Sequence, residues 1–449
     1  MSSAAARKRP GTWSSTAPAT VVCPASPNEI AQVLRDHKRY PSPVRPIGSG
    51  SSTTRCIAAN SGTLLDLCEM KRVLRIEADT VTVQPGIALS ELAEILREQG
   101  RELVGGFDLH NRSVGGAVCA PGLEASLAKD AGQFAAHAVG LKIVSPSGRK
   151  LAVHERSKNL MALFRLSYGL LGVVYEITLR IRPVRGFSVQ TARTGFKELS
   201  KLGPRLAMAG SGVKLYLLPF RDRVYFELRR PAADSVRGTK LAWRLKDWAV
   251  YSALPGAARS IARAMPIRQL RYPLIDGLSS MTQALLGAGL LSNGSNAAEQ
   301  SGRLQSAGQS RFTYCTWAFP AARLAETSLA YKLFSKEHYA RTGFRCDLPT
   351  IGFRLSQDRS SLLSPSFDSP LYTLSPLSTQ SEGWDDFVFD LADFAAEHGG
   401  VPFFNQTRNA ATEIAVQSFG RRLAFFGKVR RQLDPHDRLL NPYFAGYMS

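Results

Sequence analysis

Cysteine is scarce and dispersed. The six cysteines of this 449-residue chain, Cys23, Cys56, Cys68, Cys119, Cys315 and Cys346, never form C-x-x-C, which argues against a zinc knuckle or a thioredoxin-type pair and fits reduced, cytosolic thiols. Uninterrupted apolar runs of about 18 residues are missing too, so no membrane-crossing helix is expected. The basic N-terminus MSSAAARKRPGTW lacks the apolar stretch that a secretory signal needs. Acidic residues are few: 36 Asp and Glu stand against 57 Lys and Arg, for a net charge of +21. The basic residues are spread along the chain, without zinc-ligand spacing, a helix-turn-helix pattern or an aromatic RNA-binding signature. Nucleic acid is therefore not an expected partner. No internal repeat is visible, and no bound metal is expected.

What remains is ordinary globular material, 44% hydrophobic and 21% charged, which excludes disorder and low-complexity architectures. At roughly 100–200 residues per domain, the length suits two or three domains. Ser26-Pro27-Asn28-Glu29 opens a helix whose apolar face is Ile30, Val33 and Leu34. Short extended runs follow, VRPI (44–47), LLDL (64–67), VLRI (73–76) and VTV (81–83), with a helix from Ser90 to Leu96 and an alternating strand from Val173 to Ile181 that ends at Arg182-Pro183. The pattern is α+β. New strands, 213–218 and 224–228, begin beyond Pro183, so a domain boundary falls there. Residues 240–291 are apolar and basic, with Trp243, Trp248, Ile261, Met265 and Leu270 among Arg244, Lys246, Arg259, Arg263, Arg268 and Arg271. They read first as an insertion packing its apolar face on the protein, and second as amphipathic helices on an anionic bilayer. Residues 293–309 read as a mobile loop.

Three glycine segments stand out. Gly48-Ser49-Gly50-Ser51-Ser52 lies between strands and lacks a P-loop lysine, yet small residues in series expose backbone N–H groups and hydroxyls to one concave surface, as a pyrophosphate requires. Gly115-Gly116 and the turn from Gly169 to Gly172 repeat the device. Three such segments suit a long dinucleotide.

The ordered set VRPIGSGSS (44–52), TLLDLCEMKRVLRIEADTVTVQPG (63–86), SVGGAV (113–118), GLKIVSPSG (140–148), FRLSYGLLGVVYEITLRIRP (164–183) and the closing D-P-x-x-x-x-x-N-P of Asp434 to Pro442 resembles the flavoproteins of the vanillyl-alcohol-oxidase and para-cresol-methylhydroxylase (PCMH) type, nearest to the aldonolactone oxidase and decaprenylphosphoryl-ribose oxidase branches. The resemblance implies a flexible N-terminus (1–19), a two-subdomain PCMH-type FAD-binding domain (20–185), a substrate domain (186–400) built on an antiparallel sheet covered by helices, with the basic-apolar insertion at 240–309, and a C-terminal segment (401–449) returning to the flavin. It implies that Pro46, Ile47, Gly48, Ser49, Gly50, Ser51 and Ser52 cradle the FAD pyrophosphate, that Ser113, Gly115 and Gly116 add backbone contacts, that Gly172 and Val174 lie beside the adenine half, and that Asn441 approaches the isoalloxazine. Many relatives carry a flavin-linking histidine as G-x-G-H-S. Ser51 stands there, and Cys119, placed after Gly115-Gly116, offers no clear counterpart to the alternative cysteine link, so non-covalent FAD is implied.

The implied activity is oxidation of a CH–OH group of a sugar, polyol, lactone or hydroxylated lipid-like substrate by hydride transfer to the flavin. The alternatives are a 2-hydroxy-acid dehydrogenase of the D-lactate or glycolate type, and a flavin-fold binding protein without activity. The partners would be a small-molecule substrate and an electron acceptor, either oxygen or a quinone or redox protein. The location would be cytoplasmic, with a peripheral position at the inner face of the membrane as the second reading. Aligning the relatives' Gly-Gly with Gly399-Gly400 puts Gln406 where they carry a lysine, so Gln406 and Asn405 are the expected substrate contacts. Tyr314 is a third candidate, on a strand read from Phe312 to Pro320 that would present Phe312, Tyr314 and Thr316 on one face. Trp317, Arg354, Lys428 and His436 are weaker ones.

Overall fold

The computed structural model describes residues 18–106, 108–109, 112–125, 132–208, 212–231, 245–286, 295–296 and 312–448. The loop expected at 293–309 lies outside them except for Ser295 and Asn296, as do residues 1–17. The fold is α+β, with a first lobe in two parts. Strands Thr20–Val22, Thr63–Asp66 and Val44–Ile47 form a parallel sheet with Thr63–Asp66 in the middle. The helix Pro27–Arg35 supplies the crossover. Its start is fixed as the sequence suggests: the Ser26 hydroxyl accepts from Glu29 N, the Glu29 carboxylate accepts from Ser26 Oγ and Ala25 N, and Ile30, Val33 and Leu34 are buried.

The second part is a six-stranded antiparallel sheet centred on the long strand Val173–Pro183, which pairs with Thr80–Val83, Ala138–Val144 and Arg101–Leu103. Val83, Leu141, Ile143, Ile177 and Leu179 face its core. Phe404, Phe419, Phe426 and Phe444 join the same core from helices and turns at the C-terminal end of the chain, so residues 403–448 close back onto the first lobe.

A second lobe holds an eight-stranded sheet whose neighbouring strands are antiparallel, running from Ser295–Asn296 through Gly186–Thr194, Arg223–Pro231, Gly212–Leu218, Thr350–Leu355, Leu371–Leu374 and Trp317–Pro320 to Val401–Pro402. Strand alternation gives it two unlike faces. Val213, Leu215, Leu217, Val224 and Phe226 pack under the helices Leu199–Met208, Leu324–Thr342 and Trp384–Glu397. Lys214, Tyr216, Tyr225, Glu227 and Arg229 point the other way, toward the insertion.

Two expectations change. The strand read from Phe312 to Pro320 is broken into Thr313–Tyr314, paired with Leu377–Ser378, and Trp317–Pro320 in the large sheet. The break has a cause: Thr316 N donates to the Gln406 carbonyl, the Thr407 hydroxyl donates to the Thr316 carbonyl, and Arg408 N points at Cys315 Sγ, so residues 315–316 bond to the C-terminal turn instead of a strand neighbour. The insertion packs an apolar face on the protein, as first read, and the reading changes only for its other side. The helices Leu254–Ala264 and Arg268–Leu285 bury Leu254, Ala258, Tyr272 and Ile275, yet several of their large apolar residues face solvent.

Candidate functional site

The three glycine segments meet. Strand Val44–Ile47 delivers the chain into the loop 48–52, and a Cβ on Gly48 would lie 1.9 Å from Ser113 Oγ. That hydroxyl accepts from Gly116 N at 3.2 Å and so caps the helix Val114–Cys119, while Ser113 N donates to Ser49 Oγ at 3.3 Å. Gly50 turns the loop with φ +67°, a conformation that costs other residues about 1–2 kcal/mol. The third segment closes the side: a Cβ on Gly169 would sit 2.7 Å from Pro46 Cγ, and Gly172 has φ +152° and a position where a Cβ would sit 2.5 Å from Ile143 Cγ2.

Between them lies a cleft of about 730 Å³, counting its open mouth, lined by Pro46, Ile47, Gly48, Ser49, Gly50, Ser51, Ser52, Ser113, Gly115, Gly116, Gly172 and Val174. Among the described residues the N–H groups of Ser49, Gly50, Ser51 and Ser52 have no hydrogen-bond partner, which leaves successive donors facing one concavity. Asn441 stands apart. Its Nδ2 donates to the carbonyls of Arg55, Cys56 and Ala58 and its Oδ1 accepts from Phe444 N, a fully engaged amide that staples the C-terminus to the first subdomain. Asp434 shapes the turn just before Asn441, accepting from Arg438 N and Leu439 N.

Sequence reasoning missed two arginines that border the cleft. Arg45 is buried, and its guanidinium donates to the carbonyls of Leu439, Cys56 and Tyr168, tying three loops together; burial pulls its pKa down to about 10. Arg112 donates to the carbonyls of Pro121, Gly116 and Ala120, and its described bonds include no carboxylate. Burial lowers its pKa as well, but an arginine stays charged. The cleft wall therefore carries a cation whose hydrogen bonds, among the described residues, go to carbonyls. Cys56 and Cys119 also line it, and burial pushes both thiols up, Cys119 to about 12.

Asn405 and Gln406 lie against the loop that follows the glycines. Thr53 N donates to the Asn405 carbonyl, Thr53 Oγ1 to the Gln406 carbonyl, and Asn405 Nδ2 to the Pro121 carbonyl. Both side chains are nearly sealed, at 2% and 6% exposed, and among the described residues Asn405 Oδ1 and Gln406 Oε1 have no hydrogen-bond partner. Unsatisfied buried acceptors are rare enough to mark a place where a donor is missing. Tyr314 is half-buried, its phenol pushed up to about 12 by burial with the Arg112 cation opposing, so it is protonated at neutral pH. Trp317 is core, Arg354 is half-buried on its strand, and Lys428 and His436 lie on the surface.

A buried ion network adjoins this region from the second lobe. Arg229 Nη1 and Nη2 bind Asp108 at 2.8 and 3.1 Å, and its Nε reaches Glu227 at 2.8 Å. Lys246 also pairs with Glu227, and Lys214 approaches Asp108 at 3.5 Å and donates to Tyr251 Oη at 3.0 Å. Burial alone would raise both carboxyl groups, but the cations outweigh it: Glu227 is held at about 2 and Asp108 lower still. Asp108 precedes Arg112 by four positions, so the network runs from the cleft-bordering loop to a second cavity of about 850 Å³ lined by Tyr216, Glu227, Lys246 and Gln283. Charges at alternate positions of neighbouring strands were its only sequence signal. Elsewhere, Cys23, Asp66 and Cys68 place one ligand-type atom each within 4.8 Å of one another.

Residues 18–153 match the family described as an FAD binding domain. Similar curated proteins include the mitochondrial D-lactate dehydrogenase (cytochrome) of Arabidopsis thaliana, 34% identical over 181 residues that make up 38% of this chain and 32% of that protein. The L-gulono-1,4-lactone dehydrogenase of Mycobacterium tuberculosis is 27% identical over 46% of this chain and 48% of its own length. The L-galactono-1,4-lactone dehydrogenase of Arabidopsis thaliana is 29% identical over 40% and 30%. The chain thus spans about a third to a half of the length of the curated relatives it matches. Cholesterol oxidase from B. sterolicum superposes with a TM-score of 0.73 over 96% of this chain and 94% of that one, at 13% identity, which establishes a shared fold of the vanillyl-alcohol-oxidase and PCMH type.

Proposed function

We propose that this chain, which belongs to the PCMH-type FAD-linked oxidoreductases, oxidises a CH–OH group of a sugar, polyol, lactone or hydroxylated lipid-like molecule. The carrying observation is the convergence of three glycine segments on one cleft, with four successive N–H groups unpaired and no room for a side chain at Gly48. That donor set fits a pyrophosphate, and the Arg112 guanidinium adds a positive charge at the wall. FAD, when bound, would supply the acceptor for the hydride that carries both electrons away from the substrate carbon. The residues do the rest. Residues 48–52 and 113–116 hold the phosphates, Gly172 and Val174 lie against the adenine half, and Asn405 and Gln406 offer two carbonyl oxygens to the substrate hydroxyl, holding its proton donor toward them. A lysine could take up a proton there; a carboxamide is not a base and can only hydrogen-bond and orient. The hydroxyl proton leaves to solvent through the open mouth of the cleft, and the electrons pass on to oxygen or to a quinone or redox protein.

A 2-hydroxy acid is the second reading, favoured by the 34% identity to a D-lactate dehydrogenase and by a buried cation bordering the cleft that could meet a carboxylate. A panel of lactones, alditols, hydroxysterols and D-2-hydroxy acids mixed anaerobically with the yellow protein separates these readings. Bleaching by a neutral alcohol supports the first, and bleaching by hydroxy acids alone replaces it with the second.

FAD is held without a covalent bond in this reading. Ser51 cannot form the histidyl link, and the thiolate is the reactive form of cysteine, which burial suppresses at Cys56 and Cys119. Acid precipitation is expected to leave the yellow colour in the supernatant, and colour in the pellet would overturn this.

Gln406→Ala should leave FAD bound and slow flavin reduction by about 0.5–1.5 kcal/mol, the net worth of a hydrogen bond between neutral partners. Gln406→Lys should retain activity or shift it toward other substrates in the panel. Rapid-mixing absorbance gives the rates; unchanged rates in both variants would move the substrate contacts to Tyr314 and its strand.

A further inference from the structure

The helix Arg268–Leu285 is apolar on two sides. At about 100° per residue, its buried positions Arg271, Tyr272, Ile275, Ser279 and Gln283 occupy one face, toward the sheet. Leu270, Leu274, Met281 and Leu285 fall within a wedge of about 60° on the other side, and each is between 46% and 60% exposed. This second stripe runs for about 22 Å. Ile267 continues it at the N-terminal end, and Trp248, 58% exposed, adds an indole on the preceding segment of the insertion. A helix that merely packs on its own protein needs one apolar face, so the second must be covered by something else.

The charges around it indicate what. Apart from Arg271, buried and bonded to Gln380, the helices Leu254–Ala264 and Arg268–Leu285 carry Arg259, Arg263 and Arg268 against one acid, Asp276, which is bound to Arg345 at 2.8 Å. Arg221, exposed, reaches the second helix at the Pro273 carbonyl. A second copy of this chain, itself at +21, would bring these arginines against their own kind. An anionic bilayer takes both features together, the aliphatic stripe and indole entering the acyl boundary while the arginines meet lipid phosphates.

We infer that the outer face of residues 245–285 is an interfacial docking surface for an anionic lipid bilayer. Among the described residues no helix is long and apolar enough to cross a membrane, so the contact is peripheral, and it does not depend on the proposed chemistry.

The test is co-sedimentation of the full chain with vesicles of phosphatidylcholine alone or mixed with phosphatidylglycerol. The expected result is binding at least tenfold tighter to the mixed vesicles at low salt, weakening steeply as salt rises. Leu274→Glu/Met281→Glu should lower that binding at least tenfold while flavin content and melting temperature stay at wild-type values, because both side chains are exposed. Equal binding by the double variant, or no wild-type binding to phosphatidylglycerol vesicles at low salt, overturns the inference. So does a concentration-dependent dimer of the wild type that the variant abolishes without vesicle binding, which would assign the face to a second copy. Loss of flavin is read separately from the absorbance spectrum and bears on the cleft, not on this surface.

Discussion

Gly48→Val is expected to give a folded but colourless protein. A Cβ at this position would stand 1.9 Å from Ser113 Oγ, and Ser113 has no slack: its hydroxyl caps Gly116 and its N–H holds Ser49. Valine would therefore push the loop 48–52 and the start of the helix Val114–Cys119 apart, and the two groups of backbone donors could no longer meet one ligand. Losing two hydrogen bonds to charged phosphate oxygens at about 1.5–3 kcal/mol each weakens FAD binding by roughly two to four orders of magnitude. The cost to folding should be far smaller, because the clash lies at a cleft wall whose neighbours can separate into open space. Gly50→Ala is the control. Its φ of +67° makes alanine strained, but the nearest atom to its Cβ is Ile47 Cδ1 at 3.4 Å, so only the backbone penalty of about 1–2 kcal/mol applies. The ratio of flavin to protein absorbance, with circular dichroism as a check on folding, reads both. Full flavin content in folded Gly48→Val would show that the pyrophosphate is not held between these two loops.

The glycine cleft was legible in the sequence because a glycine requirement is local. Positive φ at Gly50 and Gly169 and the close approaches at Gly48 and Gly172 each depend on a few neighbouring atoms, and the residue type records them. The α+β class was legible for a similar reason, since alternation in 173–181 and the capping box at Ser26 are short-range signals. The arginines were not. An arginine is by type a surface charge, and Arg45 is revealed as a buried tie only when Leu439 and Tyr168 are brought around it, while Arg112 binds carbonyls at positions 116 to 121 whose direction only the turn decides. The strand expected from Phe312 to Pro320 failed on the same account: its alternation is real, but the bonds that break it at residues 315–316 come from residues 406–408. The insertion was half legible. Its composition announced amphipathic helices, whereas the stripe facing outward could be told from the stripe facing inward only once the sheet was in place.

Arg229→Met should destabilise the protein by about 3–5 kcal/mol, the usual result of removing one partner from a buried ion pair. The side chain is 2% exposed and serves two carboxylates, both Asp108 oxygens and Glu227 Oε1. Without it Asp108 keeps Ala125 N and the more distant Lys214, and Glu227 keeps Lys246. The consequence depends on pH with a definite sign. Glu227 is held at about 2 and Asp108 lower, both beneath the ordinary carboxylate range, so their contribution is fully present above that range and is lost as pH falls toward 2. Methionine lets both values climb back, so acid unfolding should begin at higher pH in the variant, and the melting temperature near pH 7 should fall by about 3–5 °C. The second variant Asp108→Asn/Arg229→Met separates a pair from a mere contact: removing an orphaned charge together with its partner should cost less than removing the cation alone. The loop that carries Asp108 also carries Arg112, so Arg229→Met should weaken FAD binding as well, whereas Lys246→Met, at the far end of the network beside the second cavity, should cost stability and leave FAD affinity near wild type. Thermal melts from pH 2.5 to 7 and flavin titrations measure all three. Equal losses of FAD affinity in Arg229→Met and Lys246→Met would mean that the network acts as one rigid block, and that Asp108 is not the point at which the second lobe grips the cleft.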